Sequence, residues 1–413
     1  LFMVSPSKTF TFGSESCPHL SNFRRFCGLV GSPFGVNLPV PSIRGDDDAT
    51  RLSFVKKFCS GLLEGDRHHP WVEVLDRSGL SRDNRWSIAF SLFLFRKVLP
   101  SPLPDCSAYL EKMSHESPPP SEEFMTYIRR RVPQMFPKGW DDGLYQSAAL
   151  SATLPFSSCL ENSRGKGGCR VKAISEQIDG PGWTRESYIE SVLTGVGVPE
   201  SLDPSRVCSV ETGGKHRIVS VPSLSANFLR PVHTAIYNRL SRFSWLLRGD
   251  AKPSAFAKFV KKEGEIFVSG DYESATDNLN SIVQREILQL ILDQSTQIPE
   301  AQKQLSLQSL SLELEYQGNV VRQRTGQLMG NLISFPLLCI VNYLAFRWKI
   351  KDAPVLINGD DIVFRSTRYD AERWMESVSH AGLTLSVGKT LLSPTYFSLN
   401  STIFKATSSR VAL

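Results

Sequence analysis

The chain has little that would mark it for a membrane, an oxidised scaffold or a zinc module. Its eight cysteines (17, 27, 59, 106, 159, 169, 208 and 339) include no C-x-x-C pair and no close ligand spacing. That speaks against a zinc site and leaves free thiols in a reducing compartment. The longest apolar runs, 88–95 and 332–346, are framed by Arg85 and Arg96 or interrupted by Pro336 and Asn342. Neither reaches the ~18–20 apolar residues of a spanning helix. There is no internal repeat, and the glycine-rich stretch 162–170 does not have the spacing of a Walker-type phosphate loop.

What is present is a chain of 413 residues, 41% hydrophobic and 21% charged, the composition of a soluble globular protein with room for two or three domains. The formal charge of +6 is unevenly placed. Between Arg206 and Glu265 eleven Lys/Arg face four acids, a local +7 that exceeds the net charge of the whole chain. Such a window suits a polyanionic partner, although a solvated basic face has the same composition. Leu1 rather than Met opens the chain, which places the start at Met3 or upstream. Residues 1–43 hold one acid, Glu15, with several Ser and the pair Arg24 and Arg25. They are expected to form a disordered tail with a loose likeness to an organelle transit peptide. Cys17 with His19, and His68 with His69, read as ordinary surface residues.

Two proline-rich runs, 99–104 and 117–121, cannot continue a helix or a central strand and mark linkers or rigid loops. The loop 162–170 combines Gly165, Gly167 and Gly168 with Arg164, Lys166 and Arg170, so its backbone could approach a phosphate closely under basic cover. A mobile surface loop is the alternative. Ile266-Phe267-Val268 predicts a buried strand ending at Asp271. Leu279, Ile282, Val283, Ile287, Leu290 and Ile291 then recur at helical spacing, predicting a helix after Asp277. A break at 326–330 precedes a second apolar helix around 336–348, with Ser334 a plausible N-cap. Asn358-Gly359 between Val355-Leu356-Ile357 and Ile362-Val363-Phe364 predicts a hairpin with Asp360 and Asp361 at its tip. A further helix is expected near 371–380. This order describes an α+β domain with helices backing an antiparallel sheet.

Asp271 ends its strand and Asp360 follows 89 residues later on the hairpin. If the two strands are sheet neighbours, their carboxylates converge at one sheet end. Two acids there can bridge two Mg²⁺ or Mn²⁺ ions ~3.5–4 Å apart, the requirement of in-line phosphoryl transfer. Asp361 would hold an ion or stand just behind. Taken singly, each Asp reads equally as a cap or a solvated turn residue.

The ordered set resembles motifs A, B and C of viral RNA-dependent RNA polymerases: Gly270-Asp271-Tyr272-Glu273-Ser274-Ala275-Thr276-Asp277-Asn278, then Gly326-Gln327-Leu328-Met329-Gly330-Asn331 with Ser334-Phe335-Pro336, then Asn358-Gly359-Asp360-Asp361. The nearest resemblance is to ourmia-like viruses (the botourmiavirus group) of the narna–levi lineage, over roughly residues 160–404. It implies a right-hand fold of fingers, α+β palm and reduced thumb. It also implies template-dependent transfer of nucleoside monophosphates from NTPs to an RNA 3′-hydroxyl, in replication of a positive-strand genome with two Mg²⁺ or Mn²⁺ ions. RNA template, product strand and NTPs are the implied partners, and the host cytoplasm the expected site, with the mitochondrion as alternative.

The resemblance also assigns roles. Asp271 and Asp360, with Asp361, would be the metal ligands. Asp277 would read the ribose 2′-hydroxyl, a role compatible with N-capping the next helix. Gly326 and Gly330 would make the motif B loop mobile near nucleotide and template. Ser334 matches the motif's small hydroxyl residue, but Leu338 stands where many positive-strand polymerases carry Asn, and Asn342 follows one turn later as a substitute for sugar selection or a plain helix polar residue. Gly213-Gly214-Lys215-His216-Arg217 resembles motif F, which would aim Lys215 and Arg217 at the triphosphate. Arg164, Lys166 and Arg170 fall where the family contacts template. Lys389 resembles the motif D lysine that protonates pyrophosphate, and 396–400 a motif E hairpin. The implied domains are 1–120 of unknown role, fingers at 121–265 with a further part near 295–325, palm at 266–393, and a thumb stub at 394–413. A reverse transcriptase and a non-catalytic RNA-binding relic are the competing functions.

Overall fold

The computed structural model describes residues 17–412 apart from 97, 101–102, 180–182, 213–214 and 387–389. They fall into two compact units, one comprising residues up to Pro104 with Ser209–Arg217, the other Asp105–Cys208 with Ile218–Leu413. The second unit therefore begins within the stretch read as an N-terminal region of 120 residues.

In the first unit four helices, α1 (Pro18–Val30), α2 (Asp48–Glu64), α3 (Pro70–Arg77) and α4 (Arg82–Arg96), enclose a core of Leu20, Phe23, Cys27, Val55, Trp71, Ile88 and Leu92. The expected disordered tail is thus helical from Pro18, because Leu20, Phe23 and Cys27 share one face at helical spacing. His69 is not a surface residue. It is buried, its Nδ1 accepts from the Trp71 N–H at 3.2 Å to cap α3, and its Nε2 meets the Phe58 carbonyl at 3.1 Å. Cys17 is buried too. All eight cysteines are free, and among the described residues no helix is long and apolar enough to cross a membrane.

The second unit opens with α5 (Cys106–Ser114), α6 (Glu122–Met135), α7 (Leu144–Ser151), α8 (Gly168–Asp179) and α9 (Arg185–Thr194). In chain order β1 (Ser205–Thr212) and β2 (Lys215–Val221) follow, with Ser209–Arg217 belonging to the first unit, and then α10 (Arg230–Leu240), β3 (Glu265–Gly270), α11 (Ala275–Asn278), α12 (Ser281–Asp293) and α13 (Glu300–Gln308). The second unit continues with β4 (Glu313–Tyr316), β5 (Asn319–Arg322), α14 (Ser334–Lys349), β6 (Val355–Asn358), β7 (Asp361–Thr367) and α15 (Arg368–Ser377). The chain closes with β8 (Leu391–Ser393), β9 (Tyr396–Leu399), β10 (Thr402–Ala406) and β11 (Val411–Ala412).

The central sheet runs β6-β7-β3-β8 with antiparallel pairing throughout. Its strands alternate strictly between two cores. Val268, Ile362, Phe364, Val355 and Ile357 face the large core built on α12, α14 and α15. Phe267, Val363 and Leu356 face a second core of Phe256, Phe259, Phe397 and Phe404. Burial on both faces is why these strands read as apolar runs. A second sheet, β2-β1-β4-β5, joins β1 to β4 in parallel, and a third, β11-β10-β9, ends the chain.

Two local expectations shift. The β6–β7 register pairs Asn358 with Asp361, so the turn is Gly359-Asp360 and Asp361 is the first residue of β7, not part of the tip. Helix α12 starts at Ser281 under the cap of Asn280, whose Oδ1 accepts from Ile282 and Val283. Asp277 lies in the separate short helix α11, and Ile282, expected in the core, is exposed.

Candidate active site

Strands β3 and β7 are neighbours, as the convergence of Asp271 and Asp360 required. Their register pairs Gly270 with Ile362, which brings Asp271 and Asp361 to the same sheet end, one residue further along each strand. Gly270 permits this approach: a Cβ there would lie 2.7 Å from Ile362 and 2.8 Å from Trp374 of α15. The backbone of Asp271 is tied on the far side, where its carbonyl accepts from the Ser386 N–H at 2.8 Å.

Asp361 senses the charges of the other two acids. Burial first, then the charges of Asp360 and Asp271, raise the Asp361 carboxyl to about 6, against the N–H of Asn400, which donates to it and lowers it. Asn400 and Ser401 form the two-residue turn of the β9–β10 hairpin with φ of 51° and 59°. The motif E-like segment thus delivers a donor to the acid cluster. Asn between two β-type runs is the signal that could have shown that turn in advance. Among the described residues, no three His, Cys, Asp or Glu already stand in a metal-ligating arrangement.

The hairpin tip is held from behind. Asn342 is fully buried on α14, and its Nδ2 donates to the carbonyls of Gly359 (3.1 Å) and Asp360 (3.2 Å). Its Oδ1 accepts from the Tyr272 hydroxyl at 2.8 Å. With its amide spent on these partners and no exposed surface, Asn342 does not stand as a nucleotide contact. It locks motif A to motif C. The Gly359 N–H adds a bond to Cys339 Sγ at 3.3 Å.

Asp277 is half-buried. Its Oδ1 accepts from Thr276 Oγ1 at 3.2 Å, and its Oδ2 lies 3.6 Å from Lys112 Nζ of α5. Gly326, with φ of 69°, packs onto the same turn: a Cβ would meet the carbonyls of Asp277 and Thr276 at 2.8 and 2.9 Å. Its N–H is bonded to the Leu279 carbonyl and its own carbonyl to Gln284. Gly330, with φ of 147°, would place a Cβ 2.0 Å from the Ser220 carbonyl. Both glycines serve close backbone approach in a pinned loop, where mobility was expected.

Ser334 is the first residue of α14, not its cap. Asn331 Oδ1 accepts from Ile333 N–H at the helix start, while the Ser334 hydroxyl is buried with no partner among the described residues. Arg164 and Lys166 are exposed on their loop. Arg170 is not free for template. Its Nε donates to the Leu154 carbonyl at 3.0 Å and its guanidinium covers the Phe156 ring at 4.4 Å. Lys215 and Arg217 stand two residues apart on β2, hence on one strand face. Both fall in Ser209–Arg217 of the first unit, Arg217 is exposed, and the Lys215 side chain lies outside the described ones. Lys389 lies outside the described residues.

The site also draws on residues that no motif announced. Ser117 Oγ bonds Thr325 Oγ1 at 2.8 Å and accepts from Ser281, and the Pro118 carbonyl accepts from Asn280. The proline-rich run 117–121 is therefore a brace between motifs A and B.

Residues 207–404 match the family model described as mitovirus RNA-dependent RNA polymerase. The RNA-dependent RNA polymerase of Ourmia melon virus (isolate Melon/Iran/VE9) is 26% identical over 80% of this chain. This chain is similar to viral RNA-dependent RNA polymerases. It spans less than half of that relative, 46% of its length. Among solved structures, the RNA-dependent RNA polymerase of a human picorbirnavirus superposes with a TM-score of 0.51 at 13% identity, covering 75% of this chain and 65% of that one. Its insertion-loop deletion mutant gives 0.54 at 13% identity, covering 85% and 71%. The α+β fold is thus that of a right-hand polymerase, with the sheet β6-β7-β3-β8 as palm.

Proposed function

We propose that the chain is an RNA-directed RNA polymerase that copies a viral positive-strand RNA genome from NTPs. The observation that carries this reading is the meeting of Asp271 and Asp361 at one sheet end, with Asp360 on the adjoining turn, in a viral polymerase fold. A carboxyl raised to about 6 by burial and by two neighbouring acids marks a charge pattern that divalent cations relieve. Asp271, Asp360 and Asp361 would hold Mg²⁺ or Mn²⁺, which when bound lowers the pKa of an attacking hydroxyl and neutralises phosphate charge. The chain's own residues do the positioning. Asn342 and Cys339 fix the Gly359-Asp360 turn, Asn400 orients Asp361, and Asp277 receives the 2′-hydroxyl of the incoming nucleotide. Arg164 and Lys166 supply phosphate contacts for template, and Lys389 a proton for pyrophosphate. Eight free thiols favour the host cytoplasm as its site, which imaging of the tagged chain in infected cells would test.

The purified chain, given a primed RNA template and either rNTPs or dNTPs with Mg²⁺, is expected to extend the primer with rNTPs. Asp360→Ala should abolish extension without unfolding the protein. Preference for dNTPs would make it a reverse transcriptase. Extension that survives Asp360→Ala would remove the acid cluster from the chemistry.

A further inference from the structure

The support of Asp277 comes from an unexpected place. Leu338 cannot donate a hydrogen bond, and Asn342 is spent on the motif C turn. Among the described residues, the side-chain partners of Asp277 are Thr276 on one oxygen and Lys112 on the other. Lys112 sits on α5, more than 150 residues upstream of the palm's first acid. That helix is not a loose neighbour. Tyr109, Leu110 and Met113 are buried in the core beneath β4. The Met113 carbonyl accepts from the N–H of Arg324 at 2.8 Å, and Met113 Cε lies 2.9 Å from where a Gly326 Cβ would stand. Tyr109, one turn before Lys112, is close enough for the Asp277 charge to raise its hydroxyl, after burial as the larger cause.

We infer that Lys112 is a positioning residue for sugar selection. Its ammonium holds the Asp277 carboxylate in the orientation that accepts the ribose 2′-hydroxyl, replacing the donor that Leu338 cannot provide. This rests on the polymerase reading above. Lys112 is itself half-exposed, with 42% of its side chain accessible against 25% for Asp277. The pair therefore lies at the surface of the palm rather than sealed inside it, where an arriving nucleotide can share the carboxylate. A point charge with three donors can hold one oxygen while the remaining lone pairs stay available.

The test compares rNTP with dNTP incorporation as a ratio of kcat/KM on a primed template. In Lys112→Met the ratio should fall about three- to fivefold, the scale of a part-exposed ion pair, with the loss confined to the ribonucleotide. Lys112→Arg should restore most of it. In an Asp277→Ala background, Lys112→Met should change the ratio no further. An unchanged ratio in Lys112→Met, or equal losses for both sugars, would overturn the inference and reduce Lys112 to a packing residue. A wild-type chain that incorporates neither nucleotide would instead sink the polymerase reading itself.

Discussion

Asn342 donates its side-chain amide to the carbonyl oxygen of Gly359 at 3.1 Å, from the middle of a buried helix to the tip of a hairpin. The same amide reaches the Asp360 carbonyl and accepts from Tyr272. Asn342→Ala leaves several buried groups unpaired and should cost about 2–3 kcal/mol of stability in urea titration. Because Asn342 holds the turn and does not touch the sugar, incorporation of ribo- and deoxynucleotides should fall together. A selective loss for one sugar would return Asn342 to the nucleotide site.

Asp361 makes stability depend on pH. Its folded carboxyl titrates near 6 against an ordinary 3.8, so the folded chain binds that proton more tightly than the unfolded one. Below about pH 4 both states are protonated and the group is neutral to stability. Between about 4 and 6 its contribution turns unfavourable as pH rises, and the full cost stands above 6. Asp361→Asn should therefore raise the metal-free Tm at neutral pH and leave it unchanged near pH 4. Added Mg²⁺ should raise the wild-type Tm at neutral pH and do little for the variant.

Gly330→Ala would set a Cβ against the Ser220 carbonyl at a φ of 147°. Strain and overpacking together should cost about 2–4 kcal/mol. Gly318→Ala is the control, with a φ of 82° and no atom within 4 Å of the new Cβ. It should cost about 1 kcal/mol. Equal losses in chemical denaturation would mean the close approach at Gly330 is not a constraint.

Ser117 binds Thr325 and both the N–H and the hydroxyl of Ser281. Ser117→Ala should cost about 1–3 kcal/mol by leaving these groups short of a partner. Hydrogen exchange should quicken first at 276–284 and 323–327, which a purely local loss would not produce.

Elements whose evidence was local were legible in the sequence. Strand β3, the β6–β7 hairpin and α14 each announce themselves by an apolar period and a bounding glycine, and the pairing expected from them was Asp271 with Asp360, where the register instead sets Asp361 opposite Asp271. The errors came where two signals of the same kind compete. Asn358-Gly359 looked like the turn, but pairing of Asn358 with Asp361 moved it on by one residue. Asp277 looked like a cap, but Asn280 is nearer the helix and has the free amide oxygen. Period alone put Ile282 inward, while the chain enters α12 with that position turned to solvent. Lys112, Ser117 and Asn400 were invisible as partners because their contacts join segments more than 35 residues apart, and no local spacing encodes such a meeting.

The brace formed by residues 112–118 has a consequence for modularity. The family match begins at 207, yet Lys112, Met113, Ser117 and Pro118 fasten the turns that carry Asp277 and Gly326. A recombinant that inherits 207–404 alone would receive every motif acid and lose the parts that aim one of them. The heritable block that builds this site is longer than the block its sequence advertises.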